Sequence, residues 1–330
     1  MKILITGSAG YIGSCCYEFF KKKFDVYGLD KVVPKLKNQK NFFLCNLNNK
    51  KYLEKIFQRI KPEIVIHLAA ESTIDNISNK KKYKLNNLVA TNILLKVIKK
   101  YKVNFLIFSS TAAVYKKNNF YLNENSFLGP NNIYGSTKLE CEKMIKKFLI
   151  NSLTKFIILR FFNVCSSYYK EKVGEFHNPE THFIPIVLQK IIDNKLIKVY
   201  GNDYRTKDGT CVRDYIHILD ILFAIYKSIS FLRKKSRNEV INLGNNLGYS
   251  NAEILKQASN ILKKKRSCKK NFIFTKRRKG DTDFLVCANK KAKNILNWKP
   301  KFSSIKKILK DEIMWIYFLK KSKLYRKTIY

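Results

Sequence analysis

Two residues in this sequence could do acid–base chemistry together. Tyr134 and Lys138 stand four apart in Tyr134-Gly135-Ser136-Thr137-Lys138, and side chains at that spacing share one face of a helix. An ammonium beside a phenol favours the phenolate, which would bring Tyr134 towards use as a base near neutrality. Thr111 closes the run Ser109-Ser110-Thr111, and its hydroxyl could bond the same substrate oxygen. In a chain with 66 lysines and arginines, a Tyr-x-x-x-Lys pair arises easily by chance. A second pattern upstream gives it weight. Gly7, Gly10 and Gly13 follow the apolar run Ile3-Leu4-Ile5 and lead into an apolar and aromatic stretch, 11–20. Strand, glycine turn and helix form the setting in which a pyrophosphate rests on a helix N-terminus. Asp30 ends the next apolar run, 24–29. It stands about 20 residues past the glycines, where dinucleotide sites hold the ribose hydroxyls.

Such residues need a scaffold, and the hydrophobic pattern supplies one. Strand-like and helix-like segments alternate: strand 41–45, helix 50–60, strand 64–67, helix 80–100, strand 105–109, helix 134–150. That rhythm predicts an α/β fold with a Rossmann-type, doubly wound parallel sheet. Ligands bind at the carboxyl ends of such strands. Leu68-Ala69-Ala70 follows one strand end and offers small side chains there, whereas His67 is expected to be a packed, hydrogen-bonded histidine.

Composition narrows the class. With 330 residues, 45% of them hydrophobic, the chain can bury a large core and a smaller second one. No apolar run reaches the ~18 residues of a membrane span. The eight cysteines are scattered without a C-x-x-C pair, which predicts reduced thiols, a cytoplasmic location and no metal site. The net charge of +42 raises the prospect of nucleic-acid binding. The lysines, however, are spread over nearly every segment, and no nucleic-acid motif accompanies them. A compositional origin is the better account, with no specific nucleic acid and no membrane as partner.

Further segments carry a family resemblance. They are Leu159-Arg160-Phe161-Phe162-Asn163, the run 174–185 (GEFHNPETHFIP), the run 199–217 (VYGNDYRTKDGTCVRDYIH), 241–250 (INLGNNLGYS) and 276–281 (KRRKGD). With the glycine turn and the Tyr-Lys pair, they make the chain resemble the UDP-glucose 4-epimerase family of the extended short-chain dehydrogenases/reductases. The resemblance runs from residue 1 to about 302. Locally, 67–76 (HLAAESTIDN) resembles the dTDP-sugar 4,6-dehydratases instead, and that activity, or another NAD-dependent modification of a nucleotide sugar, is the alternative. A nucleotide-sensing protein without activity is disfavoured because Tyr134 and Lys138 are both present.

The resemblance implies a bound NAD held by Gly7, Gly10, Tyr11, Ile12, Gly13, Asp30, Asn46, Leu47, Leu68, Ala69, Ala70, Asn87 and Phe162, with Tyr134 and Lys138 touching it as well. It implies catalysis by Tyr134, Lys138 and Thr111. Thr111, Tyr134, Asn163, His182, Phe183, Tyr200, Arg213, Arg278 and Asp281 would hold a UDP-sugar, the two arginines suiting a diphosphate. A homodimer is implied too. The cofactor part would span 1–165 with return segments at about 212–243, and a smaller, discontinuous substrate part 166–211 and 245–330. The segments Lys155–Phe161, 212–230 and Glu239–Leu243 are expected to rejoin the main sheet. Four positions depart from the family: Lys31, Asn46, Lys116 and Phe161. Leu285 stands at the position that gates the sugar.

Overall fold

The computed structural model describes residues 1–72, 80–117, 120–177, 179–262, 272–278 and 280–322. Its centre is a seven-stranded, all-parallel sheet. In chain order the strands are β1 (Lys2–Thr6), β2 (Asp25–Asp30), β3 (Phe42–Leu44), β4 (Ile64–His67), β5 (Phe105–Thr111) and β6 (Lys155–Phe161), joined by Glu239–Leu243. Across the sheet the order is Glu239–Leu243, β6, β5, β4, β1, β2, β3. The order reverses between β4 and β1, and the crevice at such a switch point is where this fold binds ligands.

The sheet is buried on both faces, which explains its unbroken apolar runs. In β1, Ile3 and Ile5 enter one core and Leu4 the other, as the two-residue period of a strand dictates. Helices Tyr11–Phe20, Ile218–Lys235 and Lys290–Leu296 cover the first face. Helices Lys50–Ile60, Ala90–Lys100 and Ile133–Leu149 cover the second.

The expected helix 80–100 forms with one irregularity. Residues Lys84–Val89 make a π-helical segment between the α-helical pieces Lys80–Tyr83 and Ala90–Lys100. A π turn inserts a residue and rotates the face that follows. Strand β5 runs two residues beyond the expected 105–109 and carries Thr111 itself.

One expectation about the return segments fails. Lys155–Phe161 and Glu239–Leu243 pair within the main sheet, but strand Val212–His217 does not. It belongs to a separate four-stranded sheet with Asn163–Cys165, Gly248–Ser250 and Phe284–Leu285. Only the following helix, Ile218–Lys235, returns to pack on the main sheet. A short buried apolar strand looks the same whichever partner it takes. A third core lies around Tyr215 and helices Phe183–Ile192, Asn251–Ile261 and Ile305–Lys321.

Seven cysteines are described, all buried and unpaired. Cys268, the lysines at 263–265 and the stretch 73–76 lie outside the described residues. Among the described residues, no helix is long and apolar enough to cross a membrane.

Candidate active site

A cavity of about 670 Å³ opens at the carboxyl ends of β1, β4 and β5, at the switch point. The glycine turn forms its floor. Gly7 has φ +75°, and a Cβ there would stand 2.5 Å from the Ala69 nitrogen, so only glycine fits. Gly10 caps helix Tyr11–Phe20 with no side-chain hydrogen bond. The free N–H groups of its first turn therefore face the cavity, ready for an anion.

Asp30 sits on the wall beside this turn. Burial pushes its carboxyl up, and the amides of Ala9, Val32 and Lys31 pull it back towards the charged form. Ala9 N–H donates to Oδ2 at 3.0 Å and Lys31 N–H to Oδ1 at 2.7 Å. Tyr11, Ile12, Asn46, Leu47, Leu68, Ala69, Ala70 and Phe162 are also on the wall. An uncapped helix start, an acid at the next strand end and a corridor of small side chains fit a dinucleotide such as NAD.

Tyr134 and Lys138 project into the same cavity from the first turns of helix Ile133–Leu149. Asn132 caps that helix by accepting from Gly135 N–H at 2.7 Å. Thr111, at the end of β5, lines the same cavity beside Tyr134. The expected lowering of the phenol by Lys138 is not realised here. Burial pushes Tyr134 up to about 12, only partly opposed by the nearby Thr111 hydroxyl. Burial also drops Lys138 to about 8. Its Nζ lies over the Phe108 ring, 4.2 Å from the centre, where the aromatic face supports the cation. His67 behaves as expected: buried, it meets the Thr6 and Thr91 hydroxyls at 2.7 and 3.0 Å. Burial and then the charge of Lys138 depress it to about 3.

The far wall carries Asn163, His182, Arg213, Asp281 and Leu285. Arg213 is held by its own surroundings, donating to the Val212 and Thr282 carbonyls at 2.9 and 2.8 Å and to Asp281 at 3.2 Å. Four expected residues are not on the wall. Asn87 is buried and spends its amide on the Glu71 backbone and the Thr137 hydroxyl. Its neighbour Asn86 lines the cavity instead, a one-residue shift that lies within the π segment. Phe183 packs against the third core. Exposed Arg278 stacks on Tyr200, 4.1 Å from the ring centre, and neither lines the cavity.

The sequence named Arg160 and His182 singly but not the two groups they belong to. Arg160 and Glu142 form a buried ion pair, with Nε and Nη2 donating at 2.9 and 2.6 Å. Ser110 and Tyr115 extend it. The only signal was that Glu142 falls four residues beyond Lys138, on the same helix face. The second group is Glu175, His177, Glu180 and His182, whose donor atoms converge beside the cavity. Its signal was the spacing E-x-H-x-x-E-x-H. Burial disfavours charge on both imidazoles, but the Glu175 and Glu180 carboxylates outweigh it, holding His177 at about 9 and His182 at about 10.

The comparisons agree with this geometry. A model of the NAD-dependent epimerase/dehydratase family matches residues 3–244, and the chain belongs to that family. Relatives of a more particular kind extend the match to nearly the full length. A UDP-glucose 4-epimerase of Halalkalibacterium halodurans is 33% identical, over 96% of this chain and 95% of that protein. One of Lactobacillus helveticus is 36% identical, over 96% and 97%. A crystal structure of a UDP-glucose 4-epimerase, 33% identical, superposes with a TM-score of 0.88 over 98% of this chain and 99% of the other. The enzyme from Bifidobacterium longum in complex with NAD⁺ and UDP, 26% identical, gives 0.86 over 98% and 99%.

Proposed function

We propose that this chain is an NAD-dependent UDP-glucose 4-epimerase, an isomerase that interconverts UDP-glucose and UDP-galactose in nucleotide-sugar and galactose metabolism. The observation that carries the reading is the single cavity in which Tyr134 and Thr111 face both an uncapped helix start with Asp30 and the guanidinium of Arg213. Tyr134 takes the proton of the sugar 4-hydroxyl and later returns it, with Thr111 orienting the same oxygen. NAD⁺, when bound, accepts the C4 hydride and gives it back. Lys138 supplies positive charge beside the reacting oxygen and the cofactor ribose. The sugar turns over as its 4-keto form while Arg213, braced by Asp281, keeps the diphosphate in place. Asn163, His182 and Leu285 border the space in which it turns. Arg278, exposed and stacked on Tyr200, is assigned with it to the sugar nucleotide. Residues 1–165 with 212–243 serve the cofactor, and 166–211 with 245–330 serve the sugar nucleotide. Unpaired, buried cysteines support a reducing, cytoplasmic setting.

The decisive experiment follows the products by NMR. A 4,6-dehydratase must also remove water across C5 and C6, which needs an acid and a base beside the strand-end threonine. Here Thr111 is followed by Ala112 and Ala113, which transfer no proton. UDP-glucose and UDP-galactose should interconvert cleanly. A 6-deoxy methyl signal growing from UDP- or dTDP-glucose would establish the dehydratase instead.

The cofactor released by denaturing the purified protein should be NAD. Asp30 lies where an NADP 2′-phosphate would need room, and a carboxylate repels it. Recovery mainly of NADP, identified by mass, would overturn the role given to Asp30.

We also infer a homodimer, paired through the helices at 80–100 and Ile133–Leu149. Light scattering should give twice the chain mass, and a monomer at all concentrations would refute the pairing.

A further inference from the structure

We propose that Glu175, His177, Glu180 and His182 form a binding site for a divalent transition cation of the zinc class. Each contributes one donor, and the four donor atoms lie within 4.8 Å of one another. Three of the four imidazole–carboxylate spacings suit a common centre. Donors at about 2.1 Å on a tetrahedron stand roughly 3.4 Å apart. His177 Nδ1 lies 3.4 Å from Glu175 Oε1 and 3.8 Å from Glu180 Oε2, and His182 Nδ1 lies 3.2 Å from Glu180 Oε1. His182 also touches Glu175 directly. Two imidazoles with two carboxylates are a donor set that zinc accepts.

A second observation points the same way. Glu175 is 3% exposed, and neither of its carboxylate oxygens has an aligned hydrogen-bond partner, nor has His177 Nδ1. Glu175 Oε1 meets both imidazoles only as an ion pair, and a cation at the centre would displace the imidazole protons and take over that carboxylate charge. The arrangement is also graded. Glu175 is buried, His177 and Glu180 are half-buried and His182 is exposed, so an ion has an entry side.

The site belongs to the molecule's architecture rather than its surface. Trp315 Nε1–H donates to the Glu175 carbonyl at 2.6 Å, anchoring the segment to helix Ile305–Lys321. His182 caps helix Phe183–Ile192. A bound cation would tie residues 175–182 into one clip along the cavity edge, where Glu175, His177 and His182 are wall residues. This inference stands apart from the epimerase reading, because its readout is the metal and not turnover.

The test uses cobalt(II) on the purified full-length protein, freed of metal by chelator and desalting. One equivalent should bind saturably and give the intense visible bands of four-coordinate cobalt, which zinc then displaces. The chain has four histidines, and the other two are buried in other contacts, His67 with Thr6 and Thr91 and His217 with Asp311. Background imidazole binding is therefore small. His177→Ala and the milder Glu180→Gln should each lose the bands and weaken cobalt binding at least tenfold, with circular dichroism confirming the fold. Weak spectra of the aqua ion alone, or bands of undiminished strength in Glu180→Gln, would overturn the site.

Discussion

Tyr134→Phe is expected to reduce interconversion of UDP-glucose and UDP-galactose by about 10²–10⁴-fold, the usual contribution of a positioned acid–base group. The substitution removes one oxygen and keeps the half-buried ring, so the cavity changes little. Calorimetry should show UDP binding within a few-fold of the parent, and the NAD recovered per chain should be the same. Loss of turnover with both ligands retained separates the proton role from binding. The pH dependence adds a second check. In the free cavity burial holds the phenol at about 12, so only about one molecule in 10⁵ carries a phenolate at pH 7. The rate at low substrate should therefore rise with pH through the acid range. Lys138 sheds its proton at about 8: below that pH the ammonium is present, above it the positive charge is lost and the rise should flatten. The Phe variant should lack this profile. A variant within tenfold of the parent rate would show that Tyr134 is not the base.

What the sequence revealed, and what it hid, follows from which forces act locally. The glycine turn was legible because backbone sterics at Gly7 require that residue type whatever surrounds it. The central strands were legible because a sheet covered on both faces leaves continuous runs such as Ile64–His67, all buried. The register of a helix face was not. Asn87 followed only from the family resemblance, yet Asn86 lines the cavity, and nothing in the local sequence announces the π segment at Lys84–Val89 in which both lie. The pairing of Val212–His217 was hidden because strand partners are chosen by tertiary contacts. So was the pKa of Tyr134, since desolvation depends on how deeply the finished fold buries the phenol. Spacing put Lys138 on the right face, but only the packed structure places its ammonium over Phe108. That Arg278 and Tyr200, each suited by type to a nucleotide, stack on each other was likewise hidden, because their contact is set by the tertiary fold.

The Glu142–Arg160 pair carries the other large expected effect, this time on stability. Glu142 and Arg160 have side chains only 1% and 2% exposed. Glu142 extends from the helix that bears Tyr134 and Lys138, and Arg160 from β6. Ser110 in β5 donates to Glu142 at 2.5 Å, and Arg160 donates to Tyr115, which in turn donates to Asn242 at 2.7 Å. One helix and three neighbouring strands are thus fixed to each other beneath the site. Burial disfavours the guanidinium charge, but the hydrogen bonds and charge of Glu142 more than compensate. Removing the carboxylate leaves that charge buried and uncompensated, at a cost of about 3–5 kcal/mol. Glu142→Gln should accordingly lower the urea midpoint sharply with little change in slope. The double variant Glu142→Leu/Arg160→Met should regain much of the loss, because replacing both charges with apolar groups of similar volume removes the desolvation cost as well as the attraction. Its turnover should remain below the parent's, since the apolar pair no longer sets the height of the helix under Tyr134. An unchanged midpoint in Glu142→Gln would show that the pair does not hold the helix, and a fully active double variant would show that it does not position the tyrosine.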